Sequence, residues 1–129
     1  MATLTLDADL AALAEVRAKV KAARDAFDAL AGADQEALDE LVRAMARAGT
    51  AAAEELARLA VDDTGYGVYE HKILKNRYNT TFVARHMLGQ RAVGVLWVDK
   101  ENRMTAVGTP MGVIAGIIPR TNPTSTVLF

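Results

Sequence analysis

The sequence predicts an α/β chain in which amphipathic helices precede a β-hairpin and the first strand of a parallel sheet. Three observations predict it. Apolar residues recur every three or four positions through residues 8–88, the period of a helix. The period shortens to two at 93–109, the period of a strand. Residues 111–118 are a near-continuous apolar run rich in β-branched residues, which is typical of a strand buried on both faces.

The first helix is predicted over residues 8–31 from a single apolar stripe. Gly32 is predicted to cap its C-terminal end, because glycine adopts the left-handed conformation that ends many helices. Asp34 is predicted to cap the next helix, with Glu36 in its first turn. The stripe comprises Leu10, Leu13, Val16, Val20, Ala23, Phe27 and Leu30.

Three further helices are expected. The second ends near Gly49, Thr50 caps the third, and the third ends at Asp62-Asp63-Thr64-Gly65. The fourth runs from about Val68 to Leu88. Side chains predicted to be buried are Leu38, Leu41, Val42 and Met45 on the second helix, Leu56, Leu59 and Ala60 on the third, and Leu74, Tyr78 and Phe82 on the fourth. His86 continues the last row and is expected to be a core histidine.

The C-terminal third is predicted to contain unpaired strand edges. A hairpin over 92–110 turns at Asp99–Asn102 and cannot bury both faces alone. The strand at 111–118 requires parallel neighbours that the chain does not offer. Asn122-Pro123 then predicts a helix start, with asparagine as N-cap and proline at the first helical position. We therefore expect the N-terminal piece of a larger α/β protein.

Composition indicates a globular protein with few chemical groups for catalysis. The 129 residues have a formal net charge of -1 and contain no cysteine, which excludes disulfides, thiolate metal sites and a cysteine nucleophile within this chain. His71 and His86 have no carboxylate at ligand spacing, so no metal site is expected. No apolar stretch is long enough to span a membrane, and the first residues lack a secretory signal, so we expect a cytoplasmic protein without membrane contact.

Motifs along the chain resemble the N-terminal part of the aldehyde dehydrogenase superfamily. Asp63-Thr64-Gly65 lies where members often have Glu-Thr-Gly, and Pro110–Pro119 is similar to the strand that leads into the nicotinamide site. Thr121-Asn-Pro-Thr-Ser-Thr126 is similar to the branch that acylates coenzyme A, such as acetaldehyde and propionaldehyde dehydrogenases. Lys75-Asn76 also resembles that branch. The resemblance implies helices, a hairpin and the first strand of a Rossmann-type sheet.

The resemblance also implies an activity. In this family a cysteine attacks a small aldehyde, hydride passes to NAD or NADP, and coenzyme A takes the acyl group as co-substrate. It implies Asn122 as the catalytic oxyanion donor, although alignment on Pro119 places the family's asparagine at Thr121, so the turn is rearranged or the role is shared. Ile118, Pro119, Arg120 and Thr121 match the cofactor-binding segment. Arg120 either meets an anionic substrate or phosphate group, or is a solvated loop residue.

The resemblance implies three parts, namely a helical layer (1–91), an oligomerisation-type hairpin (92–110) and a truncated start of the NAD-binding unit (111–129). A homo-oligomeric full-length enzyme is expected, with this piece inactive alone. Two alternatives remain open, a non-acylating aldehyde dehydrogenase and a non-catalytic helical interaction module. The latter would use the basic stretch 68–91, since residues 71–103 carry seven Lys or Arg against two Asp or Glu. No motif for nucleic-acid binding is present.

Overall fold

The computed structural model describes residues 7–129 and consists of helices and one hairpin. The residues used to judge a secretory signal lie largely outside this range. The helices are α1 (Ala8–Leu30), α2 (Gln35–Ala51), α3 (Ala53–Thr64), α4 (Tyr69–Tyr78), a π-helix (Asn79–Val83), α5 (Ala84–Met87) and α6 (Pro123–Leu128). The strands are β1 (Gly94–Asp99) and β2 (Met104–Gly108). Among the described residues, no helix combines the length and the apolar character that crossing a bilayer requires.

The chain divides into two units. The described part of the first comprises residues 7–33 and 110–115, and the second comprises residues 34–109 and 116–129. In the first unit, α1 confirms the predicted long helix, but none of its side chains is buried. Gly32 does not cap this helix in the left-handed conformation. The C-cap is Ala31, with right-handed dihedral angles.

Residues 111–118 do not form the predicted strand in this structure. They belong to no ladder, and all except the half-buried Gly112 are exposed. A strand exists through hydrogen bonds to a neighbouring strand, and a parallel one requires neighbours on both sides. Residues 7–129 provide no parallel neighbour, since their one sheet contains only the two hairpin strands.

Helix α2 begins where the sequence predicts. Asp34 is its N-cap, and the Asp34 side chain accepts a hydrogen bond from the Ala37 backbone N–H at 2.9 Å. Glu36 lies in the first turn, where a negative charge favours the helix dipole.

Replacing Asp34 with alanine is expected to lower the free energy of unfolding by about 1 kcal/mol, the typical value of an N-cap side chain. Urea denaturation of the two proteins would measure it. Asp34→Asn is the matched control. Asparagine keeps the capping oxygen, so this variant should lower the free energy of unfolding by at most a few tenths of a kcal/mol. Equal losses in both variants would show that the cap bond is not the cause.

The junction between α2 and α3 differs from the prediction. Helix α2 continues through Gly49 and Thr50, so Thr50 does not cap α3, and Ala52 alone separates the two helices. The Thr50 hydroxyl instead donates to the Thr80 hydroxyl at 2.8 Å. Close packing explains the glycine at position 49 inside the helix, since a Cβ there would lie 2.6 Å from Thr80 Cγ2 and 2.7 Å from Leu128 Cδ2.

The buried interior of the second unit consists of small and polar side chains rather than the predicted large apolar ones. Buried side chains are Ala53, Ala57, Ala60, Thr64, Asn76, Asn79, Thr80, Ala84 and Ser125. The predicted core residues Leu41, Met45, Leu59, Leu74, Tyr78 and Phe82 are all exposed. The periodicity identified correctly which residues share a helix face, but a face is buried only where another element covers it.

The predicted fourth helix is confirmed as three consecutive helical segments, α4, the π-helix and α5. His86 is exposed rather than in the core, and its Nε2 lies 2.7 Å from the side-chain nitrogen of Gln90. Within residues 7–129 this side chain stays in solvent, because a position on a periodic row is buried only where another element covers it.

The hairpin is confirmed. Strands β1 and β2 are antiparallel, with Gly94 opposite Gly108, Asp99 opposite Met104 and an irregularity between Val95 and Trp97. The Asn102 side chain and backbone N–H donate to Asp99 and hold the pKa of that carboxyl below its usual range. The apolar residues of both strands are exposed or half-buried, as expected for a hairpin without a covering element.

Candidate active site

The predicted site residues lie in one tight turn before α6. The turn is closed by the Asn122 backbone N–H, which donates to the Pro119 carbonyl at 3.1 Å. Pro123 occupies the first helical turn, as predicted. Asn122 occupies the N-cap position, yet its side chain makes no cap bond to α6. The amide of Asn122 is therefore available for another purpose than helix capping.

Two lysines of α4 hold this turn. Lys72 Nζ donates to the main-chain carbonyl of Thr121 at 3.2 Å, and Lys75 Nζ donates to Asn122 Oδ1. The two lysines are three residues apart, which places them on the same side of the helix. One ammonium therefore secures the backbone of the turn, and the other contacts only a side chain.

The contact with Lys75 determines how the Asn122 amide is oriented. An ammonium can only donate, so the atom that faces it must be the amide oxygen. Nδ2 then points elsewhere and donates one N–H to Thr121 Oγ1 at 3.2 Å. Its second N–H has no partner among residues 7–129. Asn122 thus offers one neutral N–H donor at an exposed turn, and the Thr121 hydroxyl lies beside it.

Arg120 joins the turn to the end of α3. Its Nη2 donates to the Thr64 carbonyl at 3.3 Å, and its guanidinium lies 5.3 Å from the centroid of the Tyr66 ring. Helix α3 ends at Gly65, as the sequence predicts, and the structure shows this glycine in the left-handed conformation with φ 68°. The Thr64 hydroxyl donates to the Ala60 carbonyl at 2.5 Å and accepts from the Tyr66 N–H at 3.1 Å. The Asp-Thr-Gly motif therefore shapes the surface against which Arg120 is held.

Two buried asparagines, Asn76 and Asn79, hold α6 in place, and we call them the asparagine clasp. Asn76 is completely buried; its Nδ2 donates to the Ala53 carbonyl at 3.0 Å and its Oδ1 accepts from the Thr124 hydroxyl at 3.3 Å. Asn79 Nδ2 donates to the Ser125 carbonyl at 2.7 Å. Buried polar groups satisfied in this way fix one arrangement of the elements they join.

The π-helix supports the clasp. Thr80 is buried beside it, and its hydroxyl donates to the Asn76 carbonyl at 3.1 Å. Single π-turns inside α-helices are frequent near functional sites. The sequence motifs did not identify Asn79 or Thr80 as functional. A signal was present, because Lys72 lies three and four residues before Lys75 and Asn76, and Asn79 lies four and three residues after them, along one continuous helical stretch.

Two surface grooves of the second unit lie apart from the turn. An open groove of about 520 Å³ includes Arg43, Arg47 and Arg85, and an apolar one of about 340 Å³ includes Met45 and Val127. Neither is lined by any predicted site residue. Within residues 7–129, no group of three or more His, Asp or Glu side chains is placed to hold a metal ion.

Comparison with known proteins identifies the family. The family model described as "Aldehyde dehydrogenase family" matches residues 3–128. The bifunctional aldehyde-alcohol dehydrogenase AdhE of Escherichia coli K12 is 35% identical over 117 residues, which are 91% of this chain and 13% of that protein. The sulfoacetaldehyde dehydrogenase (acylating) of Cupriavidus necator is 40% identical over 127 residues, 97% of this chain and 26% of that protein. The chain thus spans about an eighth to a quarter of these relatives.

Solved structures agree in fold. An acetylating aldehyde dehydrogenase from Geobacillus thermoglucosidasius superimposes with a TM-score of 0.91 at 40% identity, over 97% of this chain and 28% of that one. A probable aldehyde dehydrogenase from Listeria monocytogenes gives a TM-score of 0.89 at 39% identity, over 95% and 27%. The resemblance to acylating members is confirmed, and the chain belongs to the aldehyde dehydrogenase family.

Proposed function

We propose that this chain is the N-terminal part of an NAD(P)-dependent enzyme that oxidises a small aldehyde to an acyl-CoA. The proposal rests on the acylating relatives and on one observation, the Asn122 amide that Lys75 holds with an N–H outward. Three parts make up the proposed chain: the helical layer (1–91), a hairpin for homo-oligomer formation (92–110) and the start of the NAD-binding unit (111–129). We propose a cytoplasmic location and, for the piece alone, no activity.

Asn122 would supply a hydrogen bond to the substrate oxygen. When a nucleophile adds to an aldehyde, negative charge develops on the carbonyl oxygen, and a prepositioned N–H stabilises that charge. The amide is neutral and its N–H does not ionise near neutral pH, so Nδ2 can donate to the oxyanion without taking part in proton transfer. The nucleophile must come from elsewhere, since these 129 residues contain no cysteine. The Thr121 hydroxyl lies beside the amide and is proposed to assist it.

The residues before Asn122 fit a nicotinamide cofactor. Ile118 is 44% exposed and offers an apolar surface three residues before the Thr121 hydroxyl, and a flat ring that carries a carboxamide requires both kinds of group. The carbonyls of Pro119 and Thr121 already accept hydrogen bonds, so side chains would provide the contacts. The cofactor, when bound, supplies the hydride acceptor. Ile118 and Pro119 would form the wall, and Thr121 the polar contact.

Arg120 is proposed to help bind an anionic group, as in coenzyme A. Its guanidinium has five N–H donors, of which the Thr64 carbonyl takes one, so the side chain is anchored and retains donors for a phosphate. Lys72 adds a second positive charge to the same turn. Neither forms an ion pair with a carboxylate among the described residues.

An assay of the full-length enzyme tests the proposed function. We expect purified enzyme to form acyl-CoA and NAD(P)H from acetaldehyde or propionaldehyde when both the nicotinamide cofactor and coenzyme A are present. Without coenzyme A, sustained turnover should be lost, because the acyl group then has no acceptor. Sustained oxidation to the free acid in its absence would favour a non-acylating dehydrogenase. A lack of oxidation with every short aldehyde tested would contradict the proposal itself.

A further inference from the structure

Lys75 makes an unusual contact for an exposed basic residue. It lies in the last turn of α4 together with Arg77. Arg77 pairs with the Glu54 carboxylate at 2.7 Å, whereas Lys75 donates to the neutral amide oxygen of Asn122. Within residues 7–129, Lys75 makes no ion pair. Its positive charge is therefore directed at one amide of the proposed site.

An ammonium at the amide oxygen has two consequences for the amide nitrogen. It excludes the flipped orientation of the amide, in which the NH2 group of Asn122 would face the Lys75 ammonium and neither group could accept a hydrogen bond. It also draws electron density toward the oxygen, so the N–H groups become stronger donors, as in cooperative hydrogen-bond chains. Because Thr121 Oγ1 accepts one of these N–H groups, the direction of the other is set as well.

Other contacts hold the turn without Lys75. Lys72 binds the Thr121 carbonyl, Arg120 binds the Thr64 carbonyl, and Asn79 binds the Ser125 carbonyl. All three contacts include a main-chain carbonyl, whereas Lys75 contacts only a side chain. Loss of the Lys75 ammonium should therefore leave the backbone of the turn in place and change only the Asn122 amide.

We propose that Lys75 is a positioning residue that fixes the orientation and strengthens the donor N–H of Asn122. The inference rests on the proposed function, in which Asn122 stabilises the developing oxyanion. It assigns a catalytic effect to a side chain that acts through another residue and does not itself contact the substrate.

The test compares three variants of the full-length enzyme. Lys75→Met should lower kcat about tenfold, because a misaligned donor stabilises the transition state much less. KM for the aldehyde and KM for coenzyme A should stay within about twofold of the unaltered enzyme. Lys75→Arg should recover most of the rate, since a guanidinium can donate to the same oxygen. Lys21→Met, at an exposed position of α1, removes the same charge and only a surface ion pair with Asp25, and it should leave kcat unchanged. Equal melting temperatures would show that the effect is not loss of folding.

A double-mutant cycle separates this inference from the proposed function. Added to Asn122→Ala, the Lys75→Met change should have no further effect on kcat, since its target is gone. If Asn122→Ala alone keeps full kcat, the proposed donor is wrong and the inference falls with it. If Asn122→Ala is slow and Lys75→Met slows it tenfold again, the inference fails and the donor role stands. A raised KM for coenzyme A with normal kcat would make Lys75 a phosphate ligand and overturn the inference.

Discussion

Replacing Asn122 with alanine in the full-length enzyme is expected to lower kcat about 100-fold. This is the lower end of the loss that follows removal of one oxyanion donor. The proposed donor would act on charge that appears only in the transition state, so kcat and kcat/KM should fall together while KM for the aldehyde changes little. Steady-state kinetics with saturating cofactor and coenzyme A would measure both.

A second variant, Asn122→Asp, tests the proposed donor role more directly. Aspartate keeps the shape of the side chain and gains an ion pair with Lys75, so the turn should remain folded, but it loses the N–H and adds a negative charge at the oxyanion. We expect an activity at or below that of the alanine variant. Because the Asn122 side chain makes no cap bond to α6, neither change removes a helix cap. Substantial kcat in Asn122→Asp would contradict the donor role.

Replacing Asn76 with leucine is expected to destabilise the protein by about 2–3 kcal/mol. Leucine has the same branched arrangement of heavy atoms but cannot donate to the Ala53 carbonyl or accept from the Thr124 hydroxyl, and a buried polar group left without a partner costs about 1–3 kcal/mol. The midpoint of urea unfolding would measure the loss. Because Asn76 holds α6, kcat should fall as well.

Asn102→Leu provides the matched control for that prediction. It makes the same exchange at an exposed turn of the hairpin, where water can replace the one side-chain hydrogen bond that is lost, while the backbone N–H still donates to Asp99. Its effect on the free energy of unfolding should stay within about 0.5 kcal/mol. If both variants lower the free energy of unfolding equally, the burial of Asn76 does not explain its contribution to stability.

Local patterns in the sequence predicted most of the secondary structure and the turn that holds the candidate site residues. Helix α1, the Asp34 cap, the end of α3 at Gly65 and the hairpin all depend on neighbouring residues, which the sequence shows directly. The motif around Pro119 likewise located the turn at Asn122, because proline and asparagine restrict the backbone locally. The roles of Asn122, Ile118, Pro119, Arg120 and Thr121 remain predictions until the variants are measured.

Only the tertiary structure decided which helix faces are buried and what holds the turn. The apolar row of Leu74, Tyr78 and Phe82 is exposed, while Asn76 and Asn79 on the same helical stretch face the interior, because α3 and α6 cover the polar side. The contact between Lys75 and Asn122 joins residues 47 positions apart. Periodicity predicts which side chains share a face, but burial and long-range hydrogen bonds depend on which elements pack together. The strand predicted at 111–118 is not formed for the same reason, since a ladder requires a neighbouring strand.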